Sequence, residues 1–178
     1  LGTPRNVQKA REVLEANANQ SDLPKNAGEA HLARFDKFRN ASGGTPTAKL
    51  RATMQRAMQE DCAVFRTGET LQSGVKRIAD VIGGVSDIGV TDRGLIWNTD
   101  LVETLEFDNL IVQAAATANS AANRQESRGA HTVNDYGDSA QYPQGRNDTE
   151  GHKHTLWYRE GNRLSYKPVQ MKPLTVES

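Results

Sequence analysis

Apolar residues recur at helical spacing in five stretches of this chain and alternate in one more. Leu50, Met54, Met58 and Cys62 lie four apart, with Phe65 within a further turn. Leu71, Val75, Ile78 and Ile82 fall at i, i+4, i+7 and i+11, the stripe of an amphipathic helix. Ile111, Ala114, Ala115, Ala118 and Ala122 make a face of small side chains on a long helix. Small side chains let another backbone come close, so this helix is expected inside a bundle. Leu32, Phe35 and Phe38 form a shorter inward stripe. Val7, Ala10 and Leu14 follow Thr3-Pro4 in a weaker one, with Pro4 at the first helical position.

Capping and turn residues set the expected boundaries. Asn26 and Glu29 have capping-box spacing, and Gly43-Gly44 is a helix stop. Thr45-Pro46 opens the next helix, Gly68 breaks it, and Gly83-Gly84 ends the third. Asn98 and Thr99 can accept backbone N–H bonds at the start of the long helix, with Asp100 and Glu103 adding negative charge to its first turn. Gly129 is its expected stop, because glycine takes a left-handed conformation without a Cβ clash. Residues 132–151 are rich in Asn, Asp, Gly, Gln and Ser. They read as a mobile loop with too few apolar side chains to offset the entropy of ordering. His154–Tyr158 and Arg163–Val169 alternate around Glu160-Gly161-Asn162, which predicts a hairpin. The expected fold is therefore mainly α: an up-and-down bundle of three to four helices, then a loop and a short C-terminal β-hairpin. Residues 1–25 form an N-terminal helix and linker, 26–131 the bundle, and 132–178 the loop, hairpin and tail.

Charge and composition narrow the function classes. Lys+Arg 22 balances Asp+Glu 22, which argues against nucleic-acid binding and against attraction to an anionic membrane. Aromatics are 6% and mean hydropathy is −0.69, a thin supply for an independent core and suited to a domain that shares buried surface with neighbours. No run approaches the roughly 18 apolar residues of a bilayer span. Leu1–Gln20 is charged and has no apolar signal-peptide core. Cys62 is the single cysteine, so it forms no internal disulfide and reads as a small core residue compatible with a reducing compartment.

Few residues suggest chemistry. His152 and His154 lie two apart, with His131 upstream, but no cysteine or ligand-spaced carboxylate joins them, so no metal is expected. Glu126, Arg128 and His131 carry three open readings: an acid–base cluster, capping with Arg128 at a helix C-terminus, or a contact with another domain or subunit. Trp97 and Trp157 read as packing residues. No G-x-G-x-x-G turn occurs, so no dinucleotide-binding unit is expected.

Longer stretches carry a resemblance. NLIVQAAATANSAANRQESRGAH, preceded by LIWNTDLVETLEFD, resembles the C-terminal helical domain of the succinate dehydrogenase flavoprotein subunit. MQRAMQEDCAVFRTGETLQSGVKRI, PKNAGEAHLARFDKFRNASGGTPTAKLR and HKHTLWYREGNRLSYKPV resemble the same family, in order, over nearly the whole chain. Fumarate reductase flavoproteins and L-aspartate oxidase share the SRGAH-like turn; the longer run favours succinate dehydrogenase. Where the family has an acidic, arginine-containing segment with a tryptophan, this chain has QYPQGRNDTEG.

The resemblance implies a parent enzyme that oxidises succinate to fumarate. Its FAD is covalently held, and its electrons pass through an iron–sulfur subunit to quinone. That enzyme is expected as a peripheral subunit on the cytoplasmic face of the bacterial inner membrane, or on the matrix side in mitochondria. The flavin- and substrate-binding segments of the family lie upstream of the region matched. The chain is therefore expected to be a structural fragment with no catalytic, FAD-binding or metal-binding residue of its own. Its expected partners are the flavin-binding domain and the iron–sulfur subunit, with Glu126, Arg128 and His131 as contact candidates. The rival from another class is a free-standing helical interaction module.

Overall fold

The structure, a computed structural model, describes residues 22–170. The expected N-terminal helix at Thr3-Pro4 and the tail after 170 lie outside the described residues. The chain divides into two compact units, Leu1–Arg34 and Phe35–Ser178. In the first, Gly28 turns the backbone at φ +89°, and Glu29 N–H donates to the Asn26 carbonyl at 3.1 Å. That bond opens helix α1, Glu29–Arg39, whose sequence crosses the division. Leu32 is 65% exposed, not inward as its spacing predicts.

The second unit begins with the end of α1. That helix stops at Arg39, four residues before the glycine pair expected to end it. Gly43 instead allows a close backbone approach, since a Cβ there would collide with the Asp87 and Ile88 backbone. This approach lets β1 (Thr45–Pro46) pair in parallel with β2 (Ile88–Gly89). The Asp87 carboxylate accepts from Gly44 N–H at 3.1 Å and Thr45 Oγ1 at 2.6 Å, which fixes the entry to α2.

Three helices then make the core. Helix α2 is Thr47–Asp61, α3 is Gly68–Gly84 and α4 is Thr99–Asn123, and each packs on the other two. Helix α3 starts with a reciprocal cap: Thr67 Oγ1 accepts from Thr70 N–H at 3.2 Å, and Thr70 Oγ1 accepts from Thr67 N–H at 2.9 Å. Asn98 caps α4 by accepting from Leu101 N–H at 2.8 Å. The small-residue face of α4 is buried as expected at Ile111, Ala114, Ala115 and Ala118, with Ala121 beside them. Phe107 and Ala118 are fully enclosed.

Two stripes rotate relative to expectation. Helix α2 ends at Asp61, so the four-residue progression does not reach Phe65, which is 85% exposed. In α3 the buried positions are Leu71, Gly74, Ile78 and Val81, not Val75 and Ile82. Gly74 draws the face round: the Cys62 Sγ sits where its Cβ would stand, so α2 and α3 close over a missing side chain. Cys62 is buried, as expected.

Trp97 is not a packing residue. It is 92% exposed, with φ +52°, next to exposed Leu95 and Ile96. Trp157 does pack against the core, and its Nε1–H donates to Asn162 Oδ1 at 2.6 Å.

Helix α4 ends at Asn123, six residues before Gly129. The 132–151 stretch is better anchored than its composition suggests. Val133 is in the core, a 3-10 turn spans Pro143–Gly145, and one turn of helix, α5, spans Asp148–Gly151. Strands β3 (Lys153–Tyr158) and β4 (Arg163–Pro168) form the expected antiparallel hairpin, in register from Lys153↔Pro168 to Tyr158↔Arg163. Among the described residues, no helix is long and apolar enough to cross a membrane.

Candidate functional site

The chain leaves α4 at Arg124, whose side chain reaches past the helix end to residues further along the chain. Its Nη1 donates to Glu126 Oε1 at 2.6 Å and to the Gly151 carbonyl at 2.7 Å. Its Nη2 donates to the Lys153 carbonyl at 2.6 Å. The helix end is thus tied to α5 and to the first residue of the hairpin.

Glu126 is the centre of this arrangement and is 1% exposed. It accepts four hydrogen bonds: from Arg124, from Arg128 Nε and Nη2 at 2.9 Å each, and from the Asn147 backbone N–H at 2.8 Å. The Arg128 contact is the two-pronged, charge-assisted type. Arg128 Nη2 also reaches Asp148 Oδ1 at 2.6 Å. A Cβ on Gly151 would run into the Glu126 carboxylate, so this glycine is what lets α5 close over the charge.

His131 lies beside the cluster rather than in it. Its Nδ1 is 2.9 Å from Arg66 Nη2 and its Nε2 is 2.9 Å from the Arg124 carbonyl. A guanidinium only donates, so Nδ1 must accept and the proton sits on Nε2. The ring is therefore the neutral Nε2–H tautomer. The backbones of Arg128 and His131 also exchange N–H···O bonds, at 2.7 and 3.1 Å, around Gly129 at φ +60°. Gly129 serves this turn and is not the helix stop. Arg128 accordingly lies outside the last turn of α4, and its partners are carboxylates.

The electrostatics follow from the geometry. Burial alone would push the Glu126 carboxyl up, but the bonds from Arg128, Asn147 and Arg124, with the Arg128 charge, outweigh it and hold the pKa at about 2 against an ordinary 4.5. Burial pushes His131 below its ordinary 6.5; the bond to the Arg124 carbonyl opposes this, and the Arg66 and Arg124 charges reinforce it. A carboxylate this depressed, with every oxygen bonded, is a poor proton acceptor, which sets the acid–base reading aside. Burial, with Asp61 adding, likewise pushes the Cys62 thiol up despite Arg66 and Arg77, so it is not an activated thiolate.

A pH dependence of stability follows. Both groups have folded pKa values below their unfolded ones, so each stabilises the fold above its unfolded pKa and loses that effect on acidification. Unfolding midpoints in urea should be flat around neutral pH and should begin to fall below pH 6.5 as unfolded chains take up the His131 proton. A second, larger fall should run from pH 4.5 towards 2 as Glu126 is lost. That second step is worth about 3 kcal/mol from the size of the shift. A flat profile from pH 7 to 3 would contradict the arrangement described.

Three of these residues, Glu126, Arg128 and His131, stand out in the sequence, and the structure brings them together. Arg66, Arg124, Asn147 and Asp148 do not stand out. Asn147 and Asp148 fall in QYPQGRNDTEG, and their acidic, amide-rich pattern beside arginine is the only sequence signal for them. His152 and His154 are exposed, and no cluster of three or more His, Cys, Asp or Glu positioned to hold a metal occurs among the described residues.

A family model described as "Fumarate reductase flavoprotein C-term" matches residues 51–178. The chain is 44% identical over 173 residues to the mitochondrial succinate dehydrogenase [ubiquinone] flavoprotein subunit of Oryza sativa subsp. japonica, over 96% of this chain and 26% of that protein. It is 32% identical over 175 residues to the fumarate reductase flavoprotein subunit of Haemophilus influenzae, over 96% of this chain and 28% of that protein. Among solved structures, a quinol-fumarate reductase with menaquinol molecules matches with a TM-score of 0.77 at 32% identity, over 94% of this chain and 29% of that one. The chain spans about a quarter of the length of the curated relatives it matches.

Proposed function

The chain belongs to the fumarate reductase and succinate dehydrogenase flavoprotein family, whose C-terminal region it matches, and on that premise we propose that it is the helical C-terminal domain of a flavoprotein that oxidises succinate to fumarate. The observation that carries the direction of reaction is the gap in identity: 44% to a succinate dehydrogenase flavoprotein against 32% to a fumarate reductase one over nearly the same residues. In the parent, covalently held FAD would supply the redox chemistry, with an iron–sulfur subunit and quinone as the onward acceptors. The parent sits at the membrane as a peripheral subunit, on the cytoplasmic face in a bacterium or the matrix side in a mitochondrion.

The glycine turns among the described residues do not fit a flavin site. Gly43 is used in backbone approach to Asp87 and Ile88, and Gly83-Gly84 end a helix instead of opening one. The helix that does begin on glycine, α3, has its first amide bonded to Asp135 Oδ2 at 2.6 Å. No chemical step is therefore assigned to this domain. Its part is structural: the Glu126 cluster fixes the turn at 128–131, and that turn, with Arg128 and His131, faces the flavin domain or the iron–sulfur subunit. The exposed run Leu95-Ile96-Trp97, before the start of α4, is a separate apolar surface of the kind a neighbouring domain covers.

Two measurements test this reading. The purified chain should be colourless and should reduce no dye with succinate, whereas the parent flavoprotein should do so faster than it reduces fumarate. Flavin bound stoichiometrically by the chain alone, or a parent that turns over only fumarate, would overturn it. Arg128→Ala should lower the melting temperature in both contexts, because it strips a buried carboxylate of one of its two arginine partners, and by more in the parent, where a contact across the interface is lost as well. Equal shifts would confine the arginine's role to this domain.

A further inference from the structure

An open groove of about 700 Å³ runs between the last turns of α4, the 128–131 turn and the start of β3. Arg66, Arg124, Arg128 and Lys153 line it together with His131, and no acidic side chain among the described residues does. Most of this positive charge is already answered. Arg124 and Arg128 share Glu126, Arg128 also holds Asp148, and Lys153 lies 3.9 Å from Glu150.

Arg66 differs. Its guanidinium donates to the Thr132 carbonyl at 3.0 Å, the Cys62 carbonyl at 3.2 Å and Nδ1 of the neutral His131 at 2.9 Å. All three acceptors are uncharged, and Arg66 makes no ion pair among the described residues. A guanidinium held in place by neutral groups, at the wall of an open groove, is a fixed charge without a counter-charge.

We propose that this groove seats a carboxylate of an acidic polypeptide segment, with Arg66 as its ion-pair partner and Lys153 at the rim. The charge balance selects this occupant. One unanswered guanidinium matches one carboxylate, whereas nucleic acid calls for a row of cations along a phosphate backbone. Over the whole chain Lys+Arg 22 equals Asp+Glu 22, so no net charge draws the protein to nucleic acid or to an anionic membrane. Thr117, Ser120 and Thr155 also line the groove and offer hydroxyls to the main chain of a bound segment. The proposal does not depend on the reaction of the parent enzyme.

The test uses the full 178-residue chain and a fluorescein-labelled hexaglutamate peptide, followed by anisotropy at low ionic strength. Saturable binding is expected. Arg66→Gln should weaken it about tenfold, the usual scale for losing a charge-assisted hydrogen bond. Lys76→Gln, at an exposed position on α3, should leave it unchanged. Because Arg66 also anchors Cys62 and Thr132, a second measurement is made on the unaltered chain. The ring resonances of His131 are titrated with and without the peptide. A carboxylate placed on Arg66 favours the imidazolium, so the His131 midpoint should move to higher pH when the peptide is bound. Unlabelled hexaglutamate should compete, and hexalysine should not. Absence of saturable binding, an unmoved His131, or tighter binding of inorganic phosphate, of an RNA oligonucleotide or of anionic vesicles would each overturn the proposal.

Discussion

Replacing Glu126 with alanine is expected to destabilise the domain by about 3–5 kcal/mol, the range for removing one partner from a buried ion pair. The magnitude follows from what is stranded. Arg124 and Arg128 both point at a carboxylate that is 1% exposed, and both lose it together. The Asn147 N–H loses its acceptor as well. Glu126→Gln keeps the shape but not the charge, and should recover only part of the loss, because one amide oxygen cannot serve the donors that two carboxylate oxygens serve. Urea unfolding at pH 7 measures both. A loss under about 1 kcal/mol for the alanine variant would place Glu126 among ordinary surface pairs.

Phe107→Ala should cost a similar amount, about 3–5 kcal/mol, by the separate route of a cavity in the core. Phe107 is wholly buried on α4, the helix that packs against both α2 and α3. The core face of α4 next to it carries Ile111 and Ala114, both already buried, so the void has little to collapse into. The two losses should add when combined, since the Glu126 bonds and the Phe107 core position involve different residues. Their pH behaviour separates them: Glu126→Ala should shrink the acid step below pH 4.5, whereas Phe107→Ala should shift the whole curve and leave the step in place.

What can be read from the sequence divides by the range of the interaction. Leu50 and Met54, Leu71 and Ile78, and the alanines of α4 declare themselves because neighbours on a helix face are three or four residues apart. Asn98 is legible for the same reason: a side chain capping its own helix needs no distant partner. The hairpin is equally plain, because its two strands flank the local turn at Glu160-Gly161-Asn162. The end of α4 is not. Nothing between Asn98 and Gly129 is Gly or Pro, so no local signal marks an earlier stop. At that end Arg124 is tied to acceptors at Gly151 and Lys153, far along the chain.

Gly43 reads as a helix stop in the sequence because a glycine's need for space is invisible until the facing backbone, here Asp87 and Ile88, is known. At the site, Glu126, Arg128 and His131 stand out through an overall resemblance, and the roles open to Arg128 in the sequence include a helix cap that the geometry removes. Arg66 reaches His131 across 65 residues, which no spacing rule could reveal.

The Glu126 bonds clamp residues 124–128 to residues 147–153, and Tyr136 and Tyr142 meet with ring centroids 5.2 Å apart. What lies between the two tyrosines is an exposed excursion whose ends are held by others. The free energy of closing such a loop grows only with the logarithm of its length, by about 0.6 kcal/mol for each doubling. Residues inserted between Gly137 and Gln141 would therefore scarcely be felt by the bundle. The span from Tyr136 to Tyr142 is where this protein can change length and chemistry over evolutionary time while the clamp beneath it stays as it is.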